Sequence, residues 1–347
     1  MRALRIIAWI LLEIAIFLMS AWCVLAIWRA PIGSPLVLEE LAAAFALVAL
    51  FAVVGVFTRW RRRALGAVCV ALAIFAIGWS RIQPSNERRW RAEEAVLSYA
   101  EIDGDLVTVH NIRNFFYRSE TDFTPAYYGK TYDLRKLDSV DLIAVYWMGP
   151  DIAHIMLSFG FAGQDFLAIS IEARKEEGEG YSTIDGFFRH YELFYVVADE
   201  RDAIGVRALY RNDPPEDVYL YRVQGPVENA RRVFMAYIDK INSLRERPEF
   251  YNTLTTNCTS NLWLHTRVNP GHLRYSWKIL LSGHVPEYVY EAGRLDTSLP
   301  FEELRRRGHI NERAREAGAR APDFSQRIRI GLPGVAPGGV PERSAPS

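Results

Sequence analysis

The chain has 347 residues, and its 41 Lys and Arg side chains are balanced by 41 Asp and Glu, which gives a formal net charge of +0. This balance excludes a bulk electrostatic attraction to nucleic acid, and the length allows one large domain or two ordinary ones. Of three cysteines, only Cys258 lies outside strongly apolar sequence, so no disulfide framework is expected in the polar part. No zinc-type Cys/His spacing and no nucleotide-binding motif is visible, and we predict neither a metal nor a cofactor.

Three apolar runs open the chain, at 6–28, 41–57 and 64–79. The first run is too long for a signal peptide and lacks a cleavage site, and Trp22 before Cys23 disfavours a lipid anchor. Runs of this length and apolarity are typical of membrane-spanning helices. We therefore predict a membrane domain over 1–80 with three transmembrane helices.

The basic residues suggest how these helices are oriented. Arg2 and Arg5 flank the first helix, and four arginines (Arg59, Arg61, Arg62 and Arg63) crowd the loop between the second and third. If both groups are cytoplasmic, the rest of the chain is periplasmic. A further arginine cluster at 81–91 would favour the opposite orientation, but glutamates in the same stretch offset its charge. We interpret 81–97 as an amphipathic linker at the lipid headgroups.

The remainder is predicted to be α+β, with an antiparallel sheet followed by helices, over 98–318. Two alternating runs around 162–164 indicate a hairpin, and 181–211 suggests a helix or loop followed by a strand pair. Apolar residues at helical spacing after 226 predict a helix that ends before Pro248. The Pro-, Gly-, Arg- and Ser-rich stretch 319–347 is predicted to be a disordered tail.

The hairpin predicts one half of a catalytic site. Side chains alternate across a strand, so burial of the apolar faces together brings His154 to the side that carries Ser170, Glu172 and Arg174. A three-residue loop at 162–164 would set His154 opposite Glu172, within about 5 Å at Cβ. A histidine oriented by a carboxylate is a recurrent catalytic pair.

Cys258 predicts the other half. Helix-forming sequence follows it, and Thr256 or Asn257 is a natural N-cap, so the thiol falls in the first helical turn. There the helix dipole and free amides favour a thiolate, and more so beside an imidazolium. A structural, buried cysteine is the competing interpretation.

Other polar residues are weaker candidates. Asn257 and Asn261 could donate to an oxyanion or simply cap and pack. Arg174 could bind an anionic lipid headgroup or pair with Glu172. Among the remaining histidines, His265 is predicted to be structural, and His272 and His284 are competing bases.

The stretches IAHIMLSFGF, FLAISIEARKEEGEGYS, YELFYVVADERD, PEFYNTLTTNCTSNLW and HVPEYVYEAGRLD resemble the DUF4105 family, the periplasmic N-terminal domain of the Lnb lipoprotein N-acyltransferases. The resemblance runs from about 98 to about 313. It implies a papain-like fold of the circularly permuted NlpC/P60 type, with nucleophile Cys258, base His154, and Glu172 or, alternatively, Ser170 as the orienting residue. Family members carry further membrane helices after this domain, whereas here the helices precede it.

From this resemblance we expect a multi-pass protein of the bacterial inner membrane whose domain is a cysteine-dependent acyltransferase. Its expected partners are membrane lipids as acyl donors and lipoproteins as acceptors. Two alternatives stay open. One is a cysteine hydrolase of an envelope peptide or amide, and the other is a non-catalytic, membrane-tethered binding domain with an inert Cys258.

Overall fold

A computed structural model describes residues 2–335 of the chain. The chain divides into two compact units. One comprises Met1–Ser85 with Tyr181–Glu192, and the other comprises Asn86–Gly180 with Leu193–Ser347. The first boundary thus lies inside the stretch predicted to be a linker.

The first unit contains the three predicted apolar helices, α1 (Arg2–Trp28), α2 (Pro35–Gly55) and α3 (Arg61–Arg81). Each is long and apolar enough to cross a membrane. The second helix begins before the predicted run because the Ser34 hydroxyl accepts a hydrogen bond from the Val37 amide and Pro35 occupies the first helical position.

Aromatic rings hold two of these helices together. Trp22 of α1 packs edge-on against Phe75 and Trp79 of α3, with ring centroids 5.7 Å and 5.8 Å away. The segment Tyr181–Glu192 belongs to this unit through the Arg29–Asp185 ion pair at 3.1 Å.

The second unit is built on a sheet whose strand order is β1-β2-β9-β8-β7-β6-β10, with β5 also paired to β2. The β2–β9 pairing is parallel, and the other pairings that define the register are antiparallel. The α+β prediction with a largely antiparallel sheet is therefore confirmed. The strands are β1 (Tyr99–Asp103), β2 (Leu106–Arg113), β3 (Phe116–Tyr117), β4 (Phe123–Thr124), β5 (Tyr127–Asp133), β6 (Leu137–Tyr146), β7 (Ala153–Phe161), β8 (Asp165–Arg174), β9 (Glu192–Ala198) and β10 (Asp217–Arg222).

Helices cover both faces of this sheet. On one face, Phe159 of β7 packs against Phe234 and Tyr237 of the long helix, which ends before Pro248 as predicted. On the other, Met156 and Ala168 lie in a core cluster with the C-terminal helices. The helices are α4 (Glu200–Ala203), α5 (Gly205–Leu209), α6 (Val227–Glu246), α7 (Cys258–Thr266), α8 (Trp277–Leu280), α9 (Val285–Glu291), α10 (Phe301–Gly308), α11 (Asn311–Ala317) and α12 (Phe324–Arg327).

Two sequence predictions about this unit are wrong. The second strand of the pair expected within 181–211 is replaced by α4 and α5, because Asp199 caps a helix start by accepting from the Arg201 amide at 3.0 Å. The tail predicted to be disordered from 319 is ordered up to 335. Phe324, Ile328 and Leu332 recur every four residues there and are buried in the core cluster. Residues 336–347 lie outside the described residues.

Candidate active site

The β7–β8 hairpin has the predicted register. The strands are joined by residues 162–164, and Met156 lies opposite Ser170. Continuing this register by two residues sets His154 opposite Glu172. The loop residues Ala162 and Gly163 both adopt positive φ, which gives the tight turn that fixes the pairing.

His154, Ser170 and Glu172 form one hydrogen-bonded group. His154 Nε2 lies 2.6 Å from Ser170 Oγ and 3.0 Å from Glu172 Oε1. The Ser170 hydroxyl in turn donates to Glu172 Oε1 at 2.7 Å. His154 is only 8% exposed, so these contacts are shielded from water. The two alternative orienting residues of the sequence analysis therefore belong to the same network.

Arg207 is a member of this group that the sequence did not indicate. Its Nη2 donates to Glu172 Oε1 at 3.1 Å, and the same guanidinium pairs with Glu216 at 3.4 Å. Arg207 lies on α5, within the segment that was expected to contain a strand pair. No sequence signal placed it near the hairpin, because the contact depends on how α5 packs across the sheet.

Cys258 is the first residue of α7, as predicted, and Asn257 rather than Thr256 is the N-cap. The Asn257 side chain accepts hydrogen bonds from the amides of Thr259 and Ser260, and the Ser260 hydroxyl accepts from the Asn257 amide. This reciprocal capping box fixes the first turn and with it the position of the thiol. Cys258 is partly exposed.

The structure brings Cys258 to His154. The His154 side chain and the Ile155 amide both lie close enough to the sulfur to act on its pKa. Burial acts to raise the pKa of the Cys258 thiol, but His154 and the Ile155 amide outweigh it and lower that pKa. Burial likewise acts to lower the pKa of His154, yet the Glu172 carboxylate and the neighbouring Cys258 raise it to about 9. Both shifts favour a thiolate beside an imidazolium.

The three residues predicted to bind substrate make contacts within the protein. The side-chain amides of Asn257 and Asn261 donate to the carbonyls of Thr253 and Asn257, so each supports the helix start. Arg174 is only 2% exposed. Its guanidinium donates to the carbonyls of Glu94 and Ala95 and stacks on the Trp90 ring at 4.2 Å. These contacts enclose the Arg174 guanidinium within its own domain.

The other candidate histidines bind elsewhere. His265 is half-buried, lies 2.7 Å from the Tyr195 hydroxyl and packs on Tyr237, and desolvation lowers its pKa to about 4, which agrees with a structural role. His272 Nδ1 lies 3.2 Å from the Asn269 carbonyl, and His284 Nε2 lies 2.8 Å from Asp151. Within the part of the chain that the structure describes, no group of three or more His, Cys, Asp or Glu side chains has metal-binding geometry.

Comparison with known proteins agrees with the resemblance seen in the sequence. Residues 123–283 match the family model of the Lnb N-terminal periplasmic domain, and this range includes His154, Ser170, Glu172 and Cys258. No curated protein and no solved structure matches the chain. The family and the three apolar helices fit a membrane-anchored periplasmic domain. Over residues 123–283, the chain is therefore similar to the Lnb N-terminal periplasmic domain family.

Proposed function

We propose that this protein is a cysteine-dependent acyltransferase of the bacterial inner membrane, with its folded domain on the periplasmic side. The acyl group would come from a phospholipid and pass through a Cys258 thioester to an amine, such as the N-terminus of a lipoprotein. The observation that supports the proposal is the contact of Cys258 with His154, whose ring is held by Ser170 and Glu172. Nucleophilic thiol catalysis needs this combination of an activated sulfur and an oriented base.

In the first half-reaction, the Cys258 thiolate attacks the ester carbonyl carbon while His154 holds the proton taken from the thiol. A carbon–sulfur bond forms and the carbon–oxygen bond to the glycerol breaks. The protonated His154 gives its proton to the departing alkoxide, which leaves as a lysophospholipid. Because Nε2 is engaged by Ser170 and Glu172, we assign Nδ1 to the proton transfer.

In the second half-reaction, the acceptor amine attacks the thioester carbonyl. A carbon–nitrogen bond forms, the carbon–sulfur bond breaks and the Cys258 thiolate is restored, while His154 accepts the proton that the amine loses. Developing negative charge on the carbonyl oxygen would be met by amides of the first turn of α7. Asn257 accepts from the Thr259 and Ser260 amides, so the Cys258 amide is our candidate donor.

The first experiment measures the alkylation rate of Cys258 against pH in the detergent-solubilised full chain, in a Cys23→Ala/Cys69→Ala background. We expect a reaction that Cys258→Ala abolishes and whose apparent pKa lies below the ordinary thiol value. His154→Ala should raise that apparent pKa, because burial remains and the stabilising imidazolium is lost. An ordinary or raised pKa that is indifferent to His154 would contradict the proposal and leave an inert cysteine in a binding domain.

Acyl transfer itself has a distinct pH dependence. The reaction needs the Cys258 thiolate and a protonated His154. Its rate should therefore be high at pH values above the lowered pKa of the thiol. The rate should fall as the pH rises through about 9, where His154 loses its proton. Incubation with phospholipid vesicles should form an acyl thioester on Cys258, detected by its added mass, and an added amine should remove it. Removal by water at the same rate, with no amide formed, would assign the site to a hydrolase instead.

A further inference from the structure

We propose that the cavity beside α7 is the binding site for the hydrocarbon chain of the transferred acyl group. This inference rests on the proposed function, and it assigns a substrate-binding role to residues outside the Cys258–His154 pair. The cavity has a volume of about 200 Å³. A dry apolar cavity of about 150 Å³ accommodates the six carbons of benzene, so this one holds roughly seven carbons of a chain.

Both elements that position the thiol, α7 and β7, also line the cavity. One face of α7, formed by Thr259, Leu262, Trp263 and Thr266, lines it, and this helix begins at Cys258. Leu157 lines it too and lies two residues after Ile155, whose amide lies close to the sulfur. Two residues of a strand span about 7 Å, so a chain attached at the sulfur needs only a few carbons to reach the cavity.

The chemistry of the lining favours a hydrocarbon over a polar substrate. Leu142, Leu157, Ile279 and Val285 contribute aliphatic surface, and all are largely buried except where they meet the cavity. Apolar walls with few polar groups are typical of sites for apolar ligands.

Five polar side chains of the lining are already engaged with the protein. The hydroxyls of Thr259, Thr266 and Tyr288 donate to backbone carbonyls at 2.6 Å, 2.7 Å and 2.7 Å. The Trp263 indole does the same at 2.8 Å, and the Asn269 amide oxygen accepts from Arg232 at 2.8 Å. A peptide or sugar in this cavity would lose hydrogen bonds to water and find few replacements here, whereas a hydrocarbon chain loses none.

The test uses a series of linear alkyl methanethiosulfonates, which attach an alkylthio group to a cysteine, on the detergent-solubilised full chain in the Cys23→Ala/Cys69→Ala background. We expect the rate constant for Cys258 to rise by up to about fourfold for each methylene that is buried, and to level off near seven carbons. Rates are divided by those of a small free thiol in the same detergent, which removes the effect of reagent partitioning into micelles.

Two substitutions on α6 form a matched pair. Ala230 lines the cavity and is partly exposed, so Ala230→Trp fills the space without replacing a core residue. Ala236 is a partly exposed alanine on the same helix that does not line the cavity, and Ala236→Trp is the control. In Ala230→Trp, the rate constant for Cys258 should no longer rise with alkyl chain length, although the ethyl reagent still reacts. In Ala236→Trp, the rate constant should rise with chain length as in the parent chain.

The outcomes separate this inference from the proposed function. Cys258 could react at a rate that does not depend on the alkyl chain length, or that depends on it equally in Ala230→Trp. Either result overturns the cavity assignment and leaves the proposed function standing. A cyclohexylmethyl reagent as fast as the linear heptyl one would assign the cavity to a compact apolar side chain. If Cys258 is unreactive throughout, the proposed function fails. The assignment of the cavity to a hydrocarbon chain is then tested with decanoate. It stands if decanoate raises the Tm of the wild-type chain more than that of Ala230→Trp, and fails otherwise.

Discussion

Three side chains of the site contact the carboxylate of Glu172. Its Oε1 lies 3.0 Å from His154 Nε2, 2.7 Å from Ser170 Oγ and 3.1 Å from Arg207 Nη2. Although burial acts to raise the pKa of Glu172, His154 and Arg207 hold it well below its usual range. An ionised carboxylate here stabilises the imidazolium of His154, and Ser170 bridges the two groups.

Replacement of this carboxylate should therefore cost more than removal of the bridge. We expect Glu172→Gln to lower the pKa of His154, raise that of the Cys258 thiol and reduce acyl transfer by about 10²- to 10⁴-fold. Ser170→Ala leaves the carboxylate 3.0 Å from the ring and should change the rate by less than about tenfold. The pH profile of Cys258 alkylation measures both effects. A larger shift in Ser170→Ala than in Glu172→Gln would make the serine the orienting residue.

At the same scale, the sequence could predict the residues that belong to one hairpin. Strand alternation and a three-residue loop were enough to pair His154 with Glu172, because both are local properties of the chain. The contact of Arg207 with Glu172 joins elements 35 positions apart and could not be predicted in this way. The enclosed position of Arg174 depends likewise on Trp90 and on carbonyls about 80 positions earlier.

At the scale of elements, the capping box of α7 couples the stability of a helix to the reactivity of its first residue. Asn257→Ala should reduce the free energy of unfolding by about 0.5–2 kcal/mol and raise the apparent pKa of Cys258, because the first turn loses its fixed amides. Asn257→Ser is the control, since serine caps a helix without adding charge. Thermal unfolding and the alkylation profile provide the two measurements.

The two readouts decide what the cap does. If Asn257→Ala lowers the Tm but leaves the pKa of Cys258 unchanged, the cap stabilises the helix without tuning the thiol. Recovery of both properties in Asn257→Ser would tie them to the same hydrogen bonds.

Elements were predictable where their signal was periodic and strong. The hairpin, α6 and the three apolar helices have long runs at strand or helix spacing. The short helices α4 and α5 span four and five residues, too few for periodicity, and their apolar residues read equally well as a strand. In the stretch after 318, composition indicated disorder, yet three apolar residues spaced four apart are enough to anchor it in the core.

At the scale of the whole second unit, an ionic cluster ties the C-terminal segment to the centre of the sheet. Arg329 is 1% exposed, and its guanidinium donates to Asp141 on β6 at 2.8 Å and to Glu200 on α4 at 2.6 Å and 2.7 Å. Glu200 also accepts from Ser158 on β7, the strand that carries His154. The last turns of the described chain are thus linked through Glu200 to the strand that positions the candidate base.

Loss of this cation should destabilise the domain as a whole. Arg329→Met leaves Glu200 buried without its cationic partner, which typically costs about 3–5 kcal/mol, whereas Asp141 keeps Arg222 at 2.6 Å. Arg327→Met is the matched control two residues earlier, because it breaks only an exposed pair with Asp323, with a cost of at most about 1 kcal/mol. Thermal unfolding of the full chain should show a Tm lowered by about 10 °C in Arg329→Met and hardly changed in Arg327→Met. Equal Tm values in the two variants would mean that the segment after 318 is not needed to hold the sheet together.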